Sequence, residues 1–147
     1  MTLKWLIVGI LLISIVASGC GGKDTQTIET EDGQKIDITT EQGKKDSWCP
    51  VGSSWKMSNP ASGEEVSLVY TGTKEIDGVK MCIAEYKSNN PEDKVAKVEY
   101  MFSEDNERFS WISYDANGKV LSKWETKDGK TTFIDESGQI MEFESGQ

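Results

Sequence analysis

The chain of 147 residues contains no histidine. That absence removes the commonest general base, the commonest metal ligand and the usual switch near neutral pH. Ser-His-Asp and Cys-His catalysis are excluded within the chain, as are histidine-containing zinc sites. Cysteine is scarce, with three residues, Cys20, Cys49 and Cys82, so a four-cysteine zinc site is excluded too. Basic residues are in deficit: 16 Lys and Arg stand against 25 Asp and Glu, a formal net charge of −9. Such a chain lacks the basic surface that displaces counterions from a nucleic acid, so no nucleic-acid partner is expected. The same charge argues against the folded part lying flat on an anionic bilayer.

What is present begins with an export segment. Lys4 is the only charge before Lys23, and Trp5 to Val16 is a nearly continuous apolar run of about a dozen residues. That suits a signal-peptide hydrophobic region and is short for a hydrocarbon core that takes ~20 helical residues. Small residues follow, and Ala17-Ser18-Gly19-Cys20 resembles the lipobox of prokaryotic lipoproteins, with Ala17 where that family commonly has Leu. The resemblance implies removal of residues 1–19 as a signal peptide and acylation of the Cys20 thiol. The protein is then expected outside the cytoplasm at the cell membrane, held there by acyl chains on Cys20. Two chains anchor firmly where one holds marginally, because each buried methylene contributes ~0.8 kcal/mol. The alternative is an uncleaved N-terminal helix with Cys20 a bystander.

With Cys20 committed to lipid, Cys49 and Cys82 remain as an even pair, which in an exported domain is expected to form a disulfide. The remaining length suits one domain. Residues 20–46 read as the lipidated cysteine and a polar tether. Within it, residues 28–38 carry Asp32-Gly33 between β-prone flanks, either a frayed hairpin or a disordered stretch. The folded β domain is assigned to residues 47–147. It opens with Trp48, Cys49 and Trp55 around the Pro50 and Gly52 turn, a cluster read as a core plug before a ligand platform.

From Asn59-Pro60 onward the pattern is that of strands. Val66, Leu68 and Tyr70 alternate, and the segment from Val79 to Tyr86 is apolar on both faces, as in a covered central strand. Around Pro91 a turn leading into a strand is expected, with a short helix as the alternative. Gly118, Gly129 and Gly138 mark later turns at strand-length spacing, and Ile140 to Phe143 reads as an edge strand guarded by acids. The fold class is therefore mainly β: a single curved antiparallel meander sheet of seven or so strands, a half-barrel or a small sandwich, with at most one short helix.

The phrase from Tyr114 to Leu121 and the turn at Asp77-Gly78 are similar to those of the lipoprotein-carrier (LolA/LppX-like) group. That resemblance implies a curved sheet holding acyl chains on a greasy concave face, and no functional residue is carried over from it. Read from the residues themselves, Trp55, Tyr86, Tyr100, Trp111 and Trp124 are the candidate ligand-facing aromatics, with Tyr70 and Phe102 in the same supply. Such rings can receive a ligand or fill the face themselves.

The expected function is a lipid-anchored, extracytoplasmic, non-enzymatic binding or interaction module with an unidentified protein or small-ligand partner. A carrier of lipid or another apolar ligand is the alternative. No catalytic residue, cofactor or metal site is assigned. Paired carboxylates alone can run glycoside hydrolysis, but the acids here are scattered over turns and strand exteriors. Asp105, Asn106, Asp115 and Asn117 offer hard oxygen ligands near two turns without the spacing of an EF-hand.

Overall fold

The structure, a computed structural model, describes residues 22–44 and 47–144. The segment read as an export signal and Cys20 lie outside the described residues. Ten strands follow one another: β1 (Lys23–Glu29), β2 (Lys35–Glu41), β3 (Ser54–Asn59), β4 (Glu64–Ile76), β5 (Val79–Ser88), β6 (Lys97–Ser103), β7 (Phe109–Tyr114), β8 (Val120–Lys127), β9 (Lys130–Ile134) and β10 (Ile140–Glu144). They pair antiparallel in chain order as one meander sheet that is not closed into a barrel. Among the described residues each strand hydrogen-bonds only to its sequence neighbours and no second sheet or helix is present, so no sandwich forms. No helix there is long and apolar enough to cross a membrane.

Turn chemistry builds the meander. Asp77-Gly78 and Asp128-Gly129 are two-residue loops in which both residues take positive φ (49° and 75°, 52° and 74°). That backbone twist matches the twist of the paired strands, and glycine adopts it without a steric penalty. On the opposite edge, Asp115 and Asp135 each open a five-residue turn. In both, a carboxylate oxygen accepts backbone N–H bonds from two and four residues on: Asn117 and Lys119 at 2.8 and 2.9 Å, Ser137 and Gln139 at 2.8 and 2.9 Å. Around Pro91 the chain makes a turn, fixed by the Asn90 side chain accepting from the Glu92 N–H, and then enters β6.

The covered centre is β5, where Met81, Cys82 and Ala84 are buried, two faces of one strand. Cys49 and Cys82 form a disulfide that pins the loop before β3 onto this strand. Trp48 in that loop meets Phe102 edge-on at 6.1 Å, as a plug would.

Three strands lie outside the expected seven. The hairpin is longer than residues 28–38: β1 and β2 pair over seven residues each, and β2 pairs with β3, so the segment read as a tether supplies two strands of the sheet. Threonine-rich β propensity and cross-strand polar pairs hold it. Thr25 and Thr39 hydroxyls meet at 3.2 Å, and the Thr27 hydroxyl donates to Asp37 at 2.6 Å. The third is β3, where Trp55-Lys56-Met57 alternates directly after the Pro50 turn.

Candidate functional site

Residues paired across antiparallel strands share a face, so the register assigns every side chain to one side of the sheet. Trp55, Tyr86, Tyr100, Trp111 and Trp124 all fall on the same side, together with Tyr70 and Phe102. They are also aligned. Tyr70, Ala84, Tyr100, Trp111, Trp124, Phe133 and Met141 stand opposite one another in turn, a single row crossing seven strands from β4 to β10. Beside it runs a second row through Trp55, Leu68, Tyr86 and Val98 to Ser113 and Ser122. Phe133, Phe143 and Met141 complete the face and were not singled out from sequence. Their signal is the same two-residue spacing, diluted by the acids of the last strands.

The rings support one another. Tyr100 and Trp111 stack with centroids 6.2 Å apart and planes 20° apart, and Trp124 stacks on Phe143 at 6.4 Å and 12°. Trp124 meets Phe133 edge-on at 5.8 Å, and Tyr70 meets Phe102 so at 6.5 Å. Mutual packing does not bury them: Trp111, Trp124 and Phe143 keep 40 %, 38 % and 50 % of their surface exposed. Where the row passes through Ala84 the small side chain leaves an open hollow of about 290 Å³, walled by Trp55, Tyr70, Tyr86, Tyr100 and Phe102. The aromatic face is thus partly self-filled over β4 to β6 and ridged over β7 and β8. From β6 to β10 every residue that the register puts on this face is uncharged.

Glu64, Glu75 and Lys80 of β4 and β5 also fall on the aromatic side, and the paired charges of the sheet's interior lie on the other face. Lys56–Glu65, Lys87–Glu85, Lys97–Glu99 and Lys123–Glu125 pair there at 2.5 to 2.7 Å. Lys97 Nζ also lies 4.2 Å from the centre of the Tyr114 ring. The Glu99 carboxylate raises the Lys97 ammonium above its usual range, and burial raises the Tyr114 hydroxyl. Near one edge Lys127 donates to Asp77 at 2.8 Å. In a flat sheet three strand spacings, about 14 Å, separate β5 from β8. The bridge therefore shows the edge curling, over a smaller hollow of about 200 Å³ floored by Ile76, Met81, Met101 and Ile112. The bridge holds the Asp77 carboxyl below its ordinary value and the Lys127 ammonium above it.

Asp105-Asn106 and Asp115-Asn117 are not brought together. The first pair is in the turn before β7 and the second in the turn after it, at opposite edges of the sheet. One oxygen of each carboxylate is occupied by its own turn: Asp105 accepts from Ser103 and Glu107, Asp115 from Asn117 and Lys119.

Compared with protein-family models, curated proteins and solved structures, the chain matches none.

Proposed function

We propose that this chain is a lipid-anchored, extracytoplasmic interaction module that works through its aromatic sheet face and carries out no catalysis of its own. The uncovered aromatic row carries the reading. A sheet needs its apolar face buried against something, and contiguous exposed apolar surface marks an interaction site. Here Trp111, Trp124, Met141 and Phe143 remain 38–50 % exposed along the part of the face that carries no charge. The lipobox-like Ala17-Ser18-Gly19-Cys20 supports anchoring at the membrane surface, and the missing histidine argues against acid–base chemistry near neutral pH.

Intact-mass measurement of the protein extracted from membranes tests the anchor. The expected species starts at Cys20 and carries acyl chains, and Cys20→Ser abolishes both the acylation and the membrane fractionation. An unmodified Cys20 in the wild-type protein would overturn the reading.

A second reading, a carrier of lipid or another apolar ligand, is favoured by the open hollow of about 290 Å³ at Ala84. Native mass spectrometry of the extracted protein decides it: a retained lipid at defined stoichiometry supports the carrier, and a ligand-free spectrum removes it.

A further inference from the structure

The curl of the sheet makes a second hollow, on the face opposite the aromatic rows. Its floor is apolar, formed by Ile76, Met81, Met101 and Ile112, and it holds about 200 Å³. Two polar side chains in its wall have bonding capacity to spare. Ser110 is only 7 % exposed, and its hydroxyl has no hydrogen-bond partner among the described residues. The register sets Ser110 between Met101 and Glu125, so its side chain lies on the hollow's side of the sheet. Glu125, its cross-strand neighbour, pairs with Lys123 at 2.6 Å instead. The other is Arg108. Its side chain is 22 % exposed, and among the described residues its only ion pair is with Asp128 at 3.9 Å.

The geometry points to this hollow as a binding site for a small amphipathic carboxylate. Its carboxylate lies between the Arg108 guanidinium and the Ser110 hydroxyl, and its apolar body rests on the methionine and isoleucine floor. The site is separate from the aromatic face and does not depend on it.

The chemistry of the wall sets the head group. A buried hydroxyl left unpaired is costly, and a ligand that accepts from it removes that cost. A guanidinium offers five donors in a planar fork that fits a carboxylate, and a single 3.9 Å contact uses little of that capacity. Arg108 and Ser110 are two residues apart where the chain enters β7, so they share a face about 6.6 Å apart along the strand. One carboxylate can accept from both.

The sign of the ligand's charge follows from what is already engaged. Asp77 is bonded to Lys127 at 2.8 Å and Glu125 to Lys123 at 2.6 Å, so a cation finds no open carboxylate in the hollow. The chain's net −9 does not decide the matter, because exposed charges beyond about 8 Å are largely screened at physiological salt. Close by, the lining cations Arg108, Lys123 and Lys127 face the carboxylates of Asp77 and Glu125, and Asp128 beyond the lining brings the balance to neutral. Size sets the body. An apolar cavity of about 150 Å³ holds benzene, so about 200 Å³ takes one ring, or a chain of similar bulk, with its head group.

The probe is benzoate, with benzamide as an uncharged counterpart of nearly the same shape. The full chain, in detergent micelles and isotope-labelled at the methionine methyls, is titrated with each by NMR. Met81 and Met101 floor the hollow, whereas the register puts Met57 and Met141 on the aromatic side. The methyl signals therefore report which face is occupied. The expected result is saturable shifts of Met81 and Met101 with benzoate, in the millimolar range that so small a probe reaches. Met57 and Met141 stay unmoved, and benzamide binds at least about tenfold more weakly. Arg108→Gln should weaken benzoate about tenfold or more and Ser110→Ala about threefold or more. Unchanged Met57 and Met141 signals report that each variant is folded, and Ser110→Ala removes only an unpaired hydroxyl.

No shift of Met81 or Met101 with benzoate overturns the site. Equal affinity for benzamide overturns the carboxylate as its head group. Unchanged affinity in both variants overturns the roles given to Arg108 and Ser110. Shifts of Met57 and Met141 instead put the probe on the aromatic face, which overturns this site and favours the carrier reading.

Discussion

Trp111 and Trp124 stand directly opposite each other across β7 and β8, yet each rests its ring on a different neighbour. Trp111 stacks on Tyr100, and Trp124 on Phe143 with Phe133 against its edge. The two indoles thus belong to separate aromatic clusters that meet at one strand pair.

That division predicts unequal costs. Trp111→Ala loses one aromatic partner and Trp124→Ala loses two. Each such pair contributes about 0.5–1.5 kcal/mol beyond area burial, so Trp124→Ala should be the more destabilising by about that amount. Urea unfolding at one fixed protein concentration measures it; equal midpoint losses would contradict the assignment of partners.

The disulfide should dominate the stability of the centre. Cys82 is fully buried, and the bridge joins residues 33 apart in sequence. In the chain-entropy account, closing such a loop contributes roughly 3–4 kcal/mol. The double variant Cys49→Ala, Cys82→Ala should lose about that much in denaturant unfolding, and a reductant should bring the wild type toward the variant without affecting the variant itself.

Gly43 sits where β2 leaves the sheet. Its N–H donates to the Ser53 hydroxyl at 2.8 Å, and the next N–H, of Lys44, donates to the Val51 carbonyl at 3.2 Å. A Cβ at position 43 would collide with the Val51 carbonyl oxygen and the Ser53 nitrogen, both backbone atoms. Gly43→Ala should cost about 1–3 kcal/mol, as overpacking does, and should speed amide hydrogen exchange in β2 and β3 before β6 to β8.

Acid should weaken the turns. The Ser103 hydroxyl, then the Glu107 N–H, hold the Asp105 carboxyl below its ordinary 3.8. The Ser137 hydroxyl, then the Gln139 N–H, do the same for Asp135. A carboxyl whose folded value is depressed contributes stability that is complete above its unfolded value and is lost as pH falls through the folded one. The unfolding midpoint should therefore be insensitive to these groups above about pH 5 and should decline below pH 4. Asp105→Asn with Asp135→Asn should make that decline shallower; an unchanged slope would show that the turns do not titrate with folding.

Much of this molecule can be read locally. Asp77-Gly78 and Asp128-Gly129 specify two-residue hairpins by their own backbone preferences. Asp115 and Asp135 satisfy the N–H groups of their own turns, and the absence of helix among the described residues follows from alternation between such turns. The two-sided apolar run from Val79 to Tyr86 marked a covered strand, and the even pair Cys49 and Cys82 marked the disulfide. Less legible were β1 to β3. A hairpin of threonine and isoleucine has too little apolar surface to stand alone. It is ordered here because Ile38 and Met57 are cross-strand partners, as are Trp55 and Leu68.

The sequence alone determined a helix-poor antiparallel meander with a rich supply of aromatic side chains, because strand period and turn chemistry act within a few residues. Only the tertiary structure decided that the candidate aromatics line up in rows on one face. Register accumulates across strands, and each bulge shifts it. The extra residue Thr71, at the break between Tyr70 and Gly72, sends Ile76 to the charged face, and Leu121, opposite the break after Ser113, is taken up in the same way. A one-residue slip at either point would turn every later side chain of that strand to the other side. The alignment of Tyr100, Trp111, Trp124 and Phe133 is thus a sum over three strand pairings, which no single stretch of the chain contains.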